Sequence, residues 1–183
     1  MDTIYFDNAC TSFPKPQAVP DAMYDYMTRV GSNINRGCYS RAYDVEELVY
    51  DTRERLSRLF DGPECRNVVF TRNITESLNV LLKGFLKPGD HVITSSMEHN
   101  AVMRPMVQLE RQGVSFTRAA CRPDGTLDPA ALEAALRPNT KAVVMTHGSN
   151  VCGTLLPIRE VGAFCKAHGL RFFVDCAQTG GVY

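Results

Sequence analysis

The chain has 183 residues, 44% of them hydrophobic, and its 20 Lys and Arg balance 20 Asp and Glu, so the formal net charge is zero. This is enough chain for one domain with a sizeable core. The charge balance excludes the basic excess of a nucleic-acid binder and the Lys/Arg block of a protein drawn to anionic membranes.

No apolar run is long enough to span a bilayer. The opening Met1-Asp2-Thr3-Ile4-Tyr5-Phe6-Asp7 has no basic region followed by an apolar stretch, unlike a secretory signal. Seven scattered cysteines, an odd number with no C-x-x-C, argue for a reducing, cytoplasmic setting and against a disulfide framework or zinc site.

Apolar positions Val19, Ala22, Met23, Tyr26, Met27 and Val30 recur at helical spacing until Gly31. Val45, Leu48, Val49, Thr52, Leu56 and Leu59 line a second helix, with Asp44 and Glu47 as its starting capping pair and Gly62-Pro63 as its end. Short β-rich runs then alternate with helices. The expected order is strand 68–70, helix 74–86, strand 91–94, helix 100–112, strand 114–117, helix 129–136, strand 142–145, helix 158–167 and strand 172–174. This alternation predicts an α/β fold, a mostly parallel sheet with helices on both faces. Its ligand would sit beyond the carboxyl ends of the strands.

The loops after those strands carry the polar chemistry. Thr71-Arg72-Asn73-Ile74-Thr75-Glu76 offers Asn73 as an N-cap with Glu76 three residues on. The free N–H groups of that first turn and the Thr75 hydroxyl suit a phosphate, with plain capping as the alternative. His99, in Ser95-Ser96-Met97-Glu98-His99-Asn100, stands at a helix start, either as a surface or capping residue or as an imidazole that stacks on a flat ring. Asn150 lies in the polar loop Thr146 to Thr154, which has neither G-x-G-x-x-G nor Gly-Lys-Ser/Thr spacing. Asp175, followed by Gln178, is either a helix cap or a buried carboxylate facing a cationic ring nitrogen. Together the four strand ends outline a flat, phosphorylated, N-heterocyclic cofactor.

The stretches "IYFDNACTSFPKP", "FTRNITESLN", "SSMEHNAV", "PDGTLD", "THGSNVCGTLLPI" and "FFVDCAQTGG" run in order from residue 4 to 181. As a set they resemble the class V aminotransferase family of fold-type I pyridoxal phosphate enzymes, and most closely its cysteine desulfurases and selenocysteine lyases. The resemblance implies the N-terminal part of a fold-type I large domain, with residues 1–62 a helical segment and 63–183 an α/β cofactor-binding part. It implies that Asn73, Ile74 and Thr75 hold the cofactor phosphate. It implies that His99 stacks on the pyridine ring and Asp175 pairs with its protonated nitrogen, the two catalytic positions. Asn150 would lie near the phenolic oxygen and substrate carboxylate, and Gln178 would bond the phenolic oxygen. It also implies an amino-acid substrate, cysteine or selenocysteine, converted to alanine in a homodimer that passes sulfur to an acceptor protein. Transamination, epimerisation and a kynureninase-like reaction are the family's other outcomes.

Departures from the family pattern bear on substrate and completeness. Asn73 stands where desulfurases commonly have Gly, and Cys10 and Cys176 stand where Ala is typical. Tyr39, in "NINRGCYS", occupies the position at which relatives often place an active-site His. The family's "GHK"-type lysine, its substrate-binding Arg, its nucleophilic Cys and its small C-terminal domain are all expected beyond Tyr183. Lys15, Lys83, Lys87, Lys141 and Lys166 match no part of that lysine motif. The chain therefore reads as the N-terminal half of an enzyme, inactive by itself or a non-catalytic fragment.

Overall fold

A computed structural model of the protein describes residues 4–34 and 37–183. Asn35 and Arg36 of the "NINRGCYS" stretch lie outside the described residues. The chain forms two compact units, Met1–Phe70 and Thr71–Tyr183.

In the first unit, α1 spans Ala18–Asp25 and runs into a π-helical turn, Tyr26–Val30. Gly31 then closes the segment at φ 48°, a left-handed conformation that glycine adopts without a Cβ clash. The periodic face of this helix stays solvent-exposed: Met23 is 60% and Met27 67% accessible. Helix α2 spans Ser40–Leu59 and buries Ala42, Val45 and Ser57. It starts a turn earlier than its Asp44/Glu47 pattern predicts, so that pair lies inside the helix rather than capping it. Extended Tyr39 is the N-cap, and burial of Ala42 holds the added turn.

The predicted strand at Val68-Val69-Phe70 does not form. Cys65–Asn67 is a short 3-10 turn closed by extended Val68, and the three residues after the turn form no strand and pair with none among the described residues. Val69 is 76% and Phe70 48% exposed. β-branched and aromatic residues favour a strand only where a neighbour supplies hydrogen bonds and packing, and here none does.

The second unit is a four-stranded, all-parallel sheet of order β2-β1-β3-β4. In chain order it runs α3 (Ile74–Phe85), β1 (His91–Ser95), α4 (Asn100–Glu110), β2 (Ser115–Ala119), α5 (Ala130–Ala135), β3 (Thr140–Thr146), α6 (Ile158–Ala167) and β4 (Arg171–Asp175). Both faces are covered, as the near-continuous apolar strands require. On one face Leu78, Leu82, Val102 and Met106 of α3 and α4 pack on Val92, Val144 and Phe173. On the other, Leu132, Val161 and Cys165 of α5 and α6 pack on Ile93, Val143 and Met145.

This topology positions the site. From central β1 the chain crosses to β2 on one side, and β3 and β4 lie on the other. The carboxyl ends of β1 and β3 therefore flank a switch point, where diverging crossovers leave a crevice.

Candidate functional site at the carboxyl ends of the strands

The turn before α3 is built by reciprocal capping. The Glu76 N–H donates to Asn73 Oδ1 at 2.9 Å, and the Arg72 N–H donates to Glu76 Oε2 at 2.8 Å. That leaves the Ile74 and Thr75 N–H groups at the positive end of the helix without intrahelical acceptors. Thr75 lines a cavity of about 230 Å³ together with Asn79 of α3, the α4 N-cap His99, and Asn100, Arg104 and Gln108 along α4.

His99 is the N-cap of α4: its Nδ1 accepts from the Ala101 N–H at 3.1 Å. That bond leaves the proton of a neutral imidazole on Nε2. The ring borders a second cavity of about 420 Å³, shared with Glu98 and with Ser149, Asn150 and Val151 of the loop after β3. Asn150 is exposed, and Ser149 shapes its loop by accepting the Val151 N–H at 3.2 Å.

Asp175 ends β4 and is 3% exposed. Its Oδ1 accepts from the Ala177 N–H at 2.9 Å. Phe173, two residues earlier, packs on the α3/α4 side, so the two-residue strand period puts Asp175 on the side that carries His99. Gln178 is half-buried and its Cβ lies close to Gly148, at the base of the Asn150 loop. In the same turn, Thr179 Oγ1 is 2.9 Å from His147 Nδ1. His99 thus shares one cavity with Thr75 and another with Asn150, and Asp175 lies below on the same side of the sheet.

Sequence reasoning passed over Glu98. Its carboxylate accepts from the Ser95 hydroxyl, and both its oxygens lie 3.0 Å from the Thr146 N. Burial pushes its pKa up to about 7 despite those donors, and the Asp175 charge adds to the rise. The signal was present: Ser95-x-x-Glu98 has capping-box spacing, directly after a buried strand. In the first unit, Tyr39 is 2.9 Å from Ser32 Oγ through its hydroxyl, and Cys10 is exposed.

A four-stranded parallel sheet with helices on both faces, and with helix N–H groups, an imidazole and a buried carboxylate gathered at its switch point, defines a doubly wound α/β protein. More particularly, the chain belongs to the class V aminotransferase family, whose model matches residues 4–181. It is 38% identical over 184 residues to the cysteine desulfurase IscS of Vibrio cholerae serotype O1 (strain M66-2), covering 97% of this chain and 45% of that protein. It is 36% identical over 182 residues to the cysteine desulfurase IscS of Anaeromyxobacter sp. (strain Fw109-5), with the same coverage. Its fold matches the apo structure of a cysteine desulfurase from Thermococcus onnurineus NA1 with a TM-score of 0.89 at 30% identity, over 97% of this chain and 45% of that one. The chain spans about half the length of the curated relatives it matches.

Proposed function

We propose that this chain is the cofactor-cradling part of a pyridoxal phosphate enzyme that removes sulfur or selenium from cysteine or selenocysteine and leaves alanine. The observation that carries this reading is the placement of His99 and buried Asp175 on one side of the sheet, with the free first-turn N–H groups of α3 beside the same imidazole. The donors suit the group. Ile74 and Thr75 take the phosphate at a helix N-terminus, with Asn73 fixing the turn. His99 would stack on the ring. Asp175 has acceptor capacity left beyond its one backbone bond and keeps the ring nitrogen protonated. Asn150 would lie near the phenolic oxygen and the substrate carboxylate, and Gln178 would bond the phenolic oxygen. When bound, such a ring supplies an electron sink for bonds broken at the amino acid's α-carbon.

Family likeness supports a homodimer that hands sulfur to an acceptor protein. The exposed apolar residues Val19, Met23 and Met27 of the first unit fit self-association. Free cysteines support a reducing, cytoplasmic location. No helix among the described residues is long and apolar enough to cross a membrane.

Three measurements test the proposal. The chain titrated with pyridoxal phosphate should bind it noncovalently, and Asp175→Ala should abolish that binding while leaving the far-UV circular dichroism intact. Borohydride reduction should trap no single stoichiometric lysine adduct. A protein that carries this chain together with the remaining half of its relatives' length, incubated with cysteine, the cofactor and excess dithiothreitol as reductant, should release alanine and sulfide in equal amounts, the dithiol reducing the transferred sulfur to sulfide. Transfer of the amino group to a keto acid instead would replace desulfuration with transamination.

A further inference from the structure

Glu98 has no role in the cofactor scheme above, yet its geometry ties that site together. The β1–β3 pairing ends at Thr94 and Val144, two residues before β3 itself ends. The Thr146 N–H, on that side of β3, therefore has no strand carbonyl to bond. Glu98 supplies the missing acceptor with both carboxylate oxygens. Across the next pair of strands, Thr146 stands opposite Asp175. Glu98 thus continues the sheet's own bonding toward Asp175, and His99 is the very next residue.

We propose that Glu98 is a positioning residue for the cofactor: its carboxylate pins the His99 turn to the end of β3 and sets a second negative charge beside Asp175, favouring a ring protonated on its nitrogen. This rests on the cofactor reading given above. The groups around Glu98 are the neutral Ser95 of β1 and Thr146 of β3, the Asp175 carboxylate of β4, and the adjoining His99. His147, one residue past Thr146, is engaged by Thr179. Asp175 is thus the charged partner that the Glu98 charge reinforces. Burial holds Glu98 largely neutral below about pH 7, so the second charge is present above it.

The probe is pyridoxine 5′-phosphate, which has the ring and the phosphate but no aldehyde, so surface lysines do not capture it. Its ring fluorescence gives a dissociation constant for the purified chain at pH 5.5 and at pH 8. Glu98→Gln keeps an oxygen for the Thr146 N–H and removes the charge. It should bind about tenfold more weakly than the wild type at pH 8, the scale of one lost charge in a partly solvated crevice. At pH 5.5 the two should agree within about twofold, because Glu98 is then uncharged in both. Glu98→Ala, which also frees the His99 turn, should bind more weakly at both pH values. Equal binding by wild type and Glu98→Gln at both pH values, or an equal loss at both, overturns the charge role. Wild-type affinity in Glu98→Ala overturns the positioning role. A wild-type chain that binds the probe at neither pH overturns the cofactor reading itself, a result distinct from the other two.

Discussion

Two ionisable groups in the sheet unit, buried His91 and half-buried Glu98, are displaced in opposite directions, and their effects on stability oppose each other. Burial raises Glu98 from 4.5 to about 7. Burial, and then the charge of Arg137, lowers His91 from 6.5 to about 4. His91 is 0% exposed and held between Thr140 Oγ1 at 2.8 Å and Thr117 Oγ1 at 2.9 Å. Glu98 binds its proton more tightly folded than unfolded. Its contribution is therefore complete below pH 4.5 and lost as pH rises toward 7. His91 binds its proton less tightly folded, so its contribution is complete above pH 6.5 and lost as pH falls toward 4. Each displacement, about 2.5 pH units at about 1.36 kcal/mol per unit, corresponds to about 3 kcal/mol at most. Between pH 4.5 and 6.5 the two slopes nearly cancel in the wild type.

Glu98→Gln removes one slope and His91→Gln the other. The chain has no Trp, so urea unfolding at pH 4.5, 5.5, 6.5 and 7.5 is followed by far-UV circular dichroism at fixed salt. The stability of Glu98→Gln relative to wild type should improve by about 2–3 kcal/mol between pH 4.5 and 7.5. That of His91→Gln should worsen by a similar amount over the same range. Parallel curves for wild type and both variants would refute the reasoning, because they would mean that neither group titrates differently on folding.

Three further outcomes follow from single side chains. Cys152 is exposed, and hydrogen bonding with Ser149 and Thr154 lowers its pKa to about 7, whereas burial raises Cys165 to about 11. Brief iodoacetamide treatment at pH 7.5 with mass spectrometry should label Cys152 ahead of the other cysteines and leave Cys165 unmodified in the folded chain. Thr94 Oγ1 is buried without a hydrogen-bond partner among the described residues. Thr94→Val replaces that hydroxyl with a methyl of similar size and should stabilise the sheet unit by about 1 kcal/mol in urea unfolding. Gly125 has φ +84°, and a Cβ there would lie 2.9 Å from Thr154 Oγ1, whose hydroxyl donates to the Asp124 carbonyl. Gly125→Ala should cost about 1–2 kcal/mol, and an unchanged urea midpoint would contradict the close approach.

The sheet unit was legible because its signals are local and agree with one another. Apolar runs such as Val92-Ile93 and Val143-Val144-Met145 need cover on both faces, and the amphipathic helices between them supply it. Each predicted strand from His91 onward is found within two or three residues of its expected bounds. The errors fall where tertiary context decides. Val68-Val69-Phe70 has strand composition but no strand partner among the described residues, and the Asp44/Glu47 spacing was overridden by burial of Ala42, two residues before Asp44. Neither the missing partner nor the buried alanine can be read from a window of ten residues.

The site shows the same division. Asn73, Thr75, His99 and Asp175 stand out because each follows a strand or opens a helix, and such positions are recognisable from periodicity alone. Glu98 did not stand out, although it lies beside His99. Its bonds to Ser95 and Thr146 join residues 3 and 48 positions apart. The long one exists only because β1 stops pairing before β3 does. A side chain that replaces a strand carbonyl leaves no periodic trace. Yet a buried N–H without an acceptor costs about 1–3 kcal/mol, so some group had to take that place. The requirement is physical and local to the sheet; which residue meets it depends on where the next helix begins. Here α4 begins at Asn100, His99 caps it, and the residue just before the cap is thereby brought to the Thr146 N–H. The start of one helix thus fixes both the imidazole and the carboxylate.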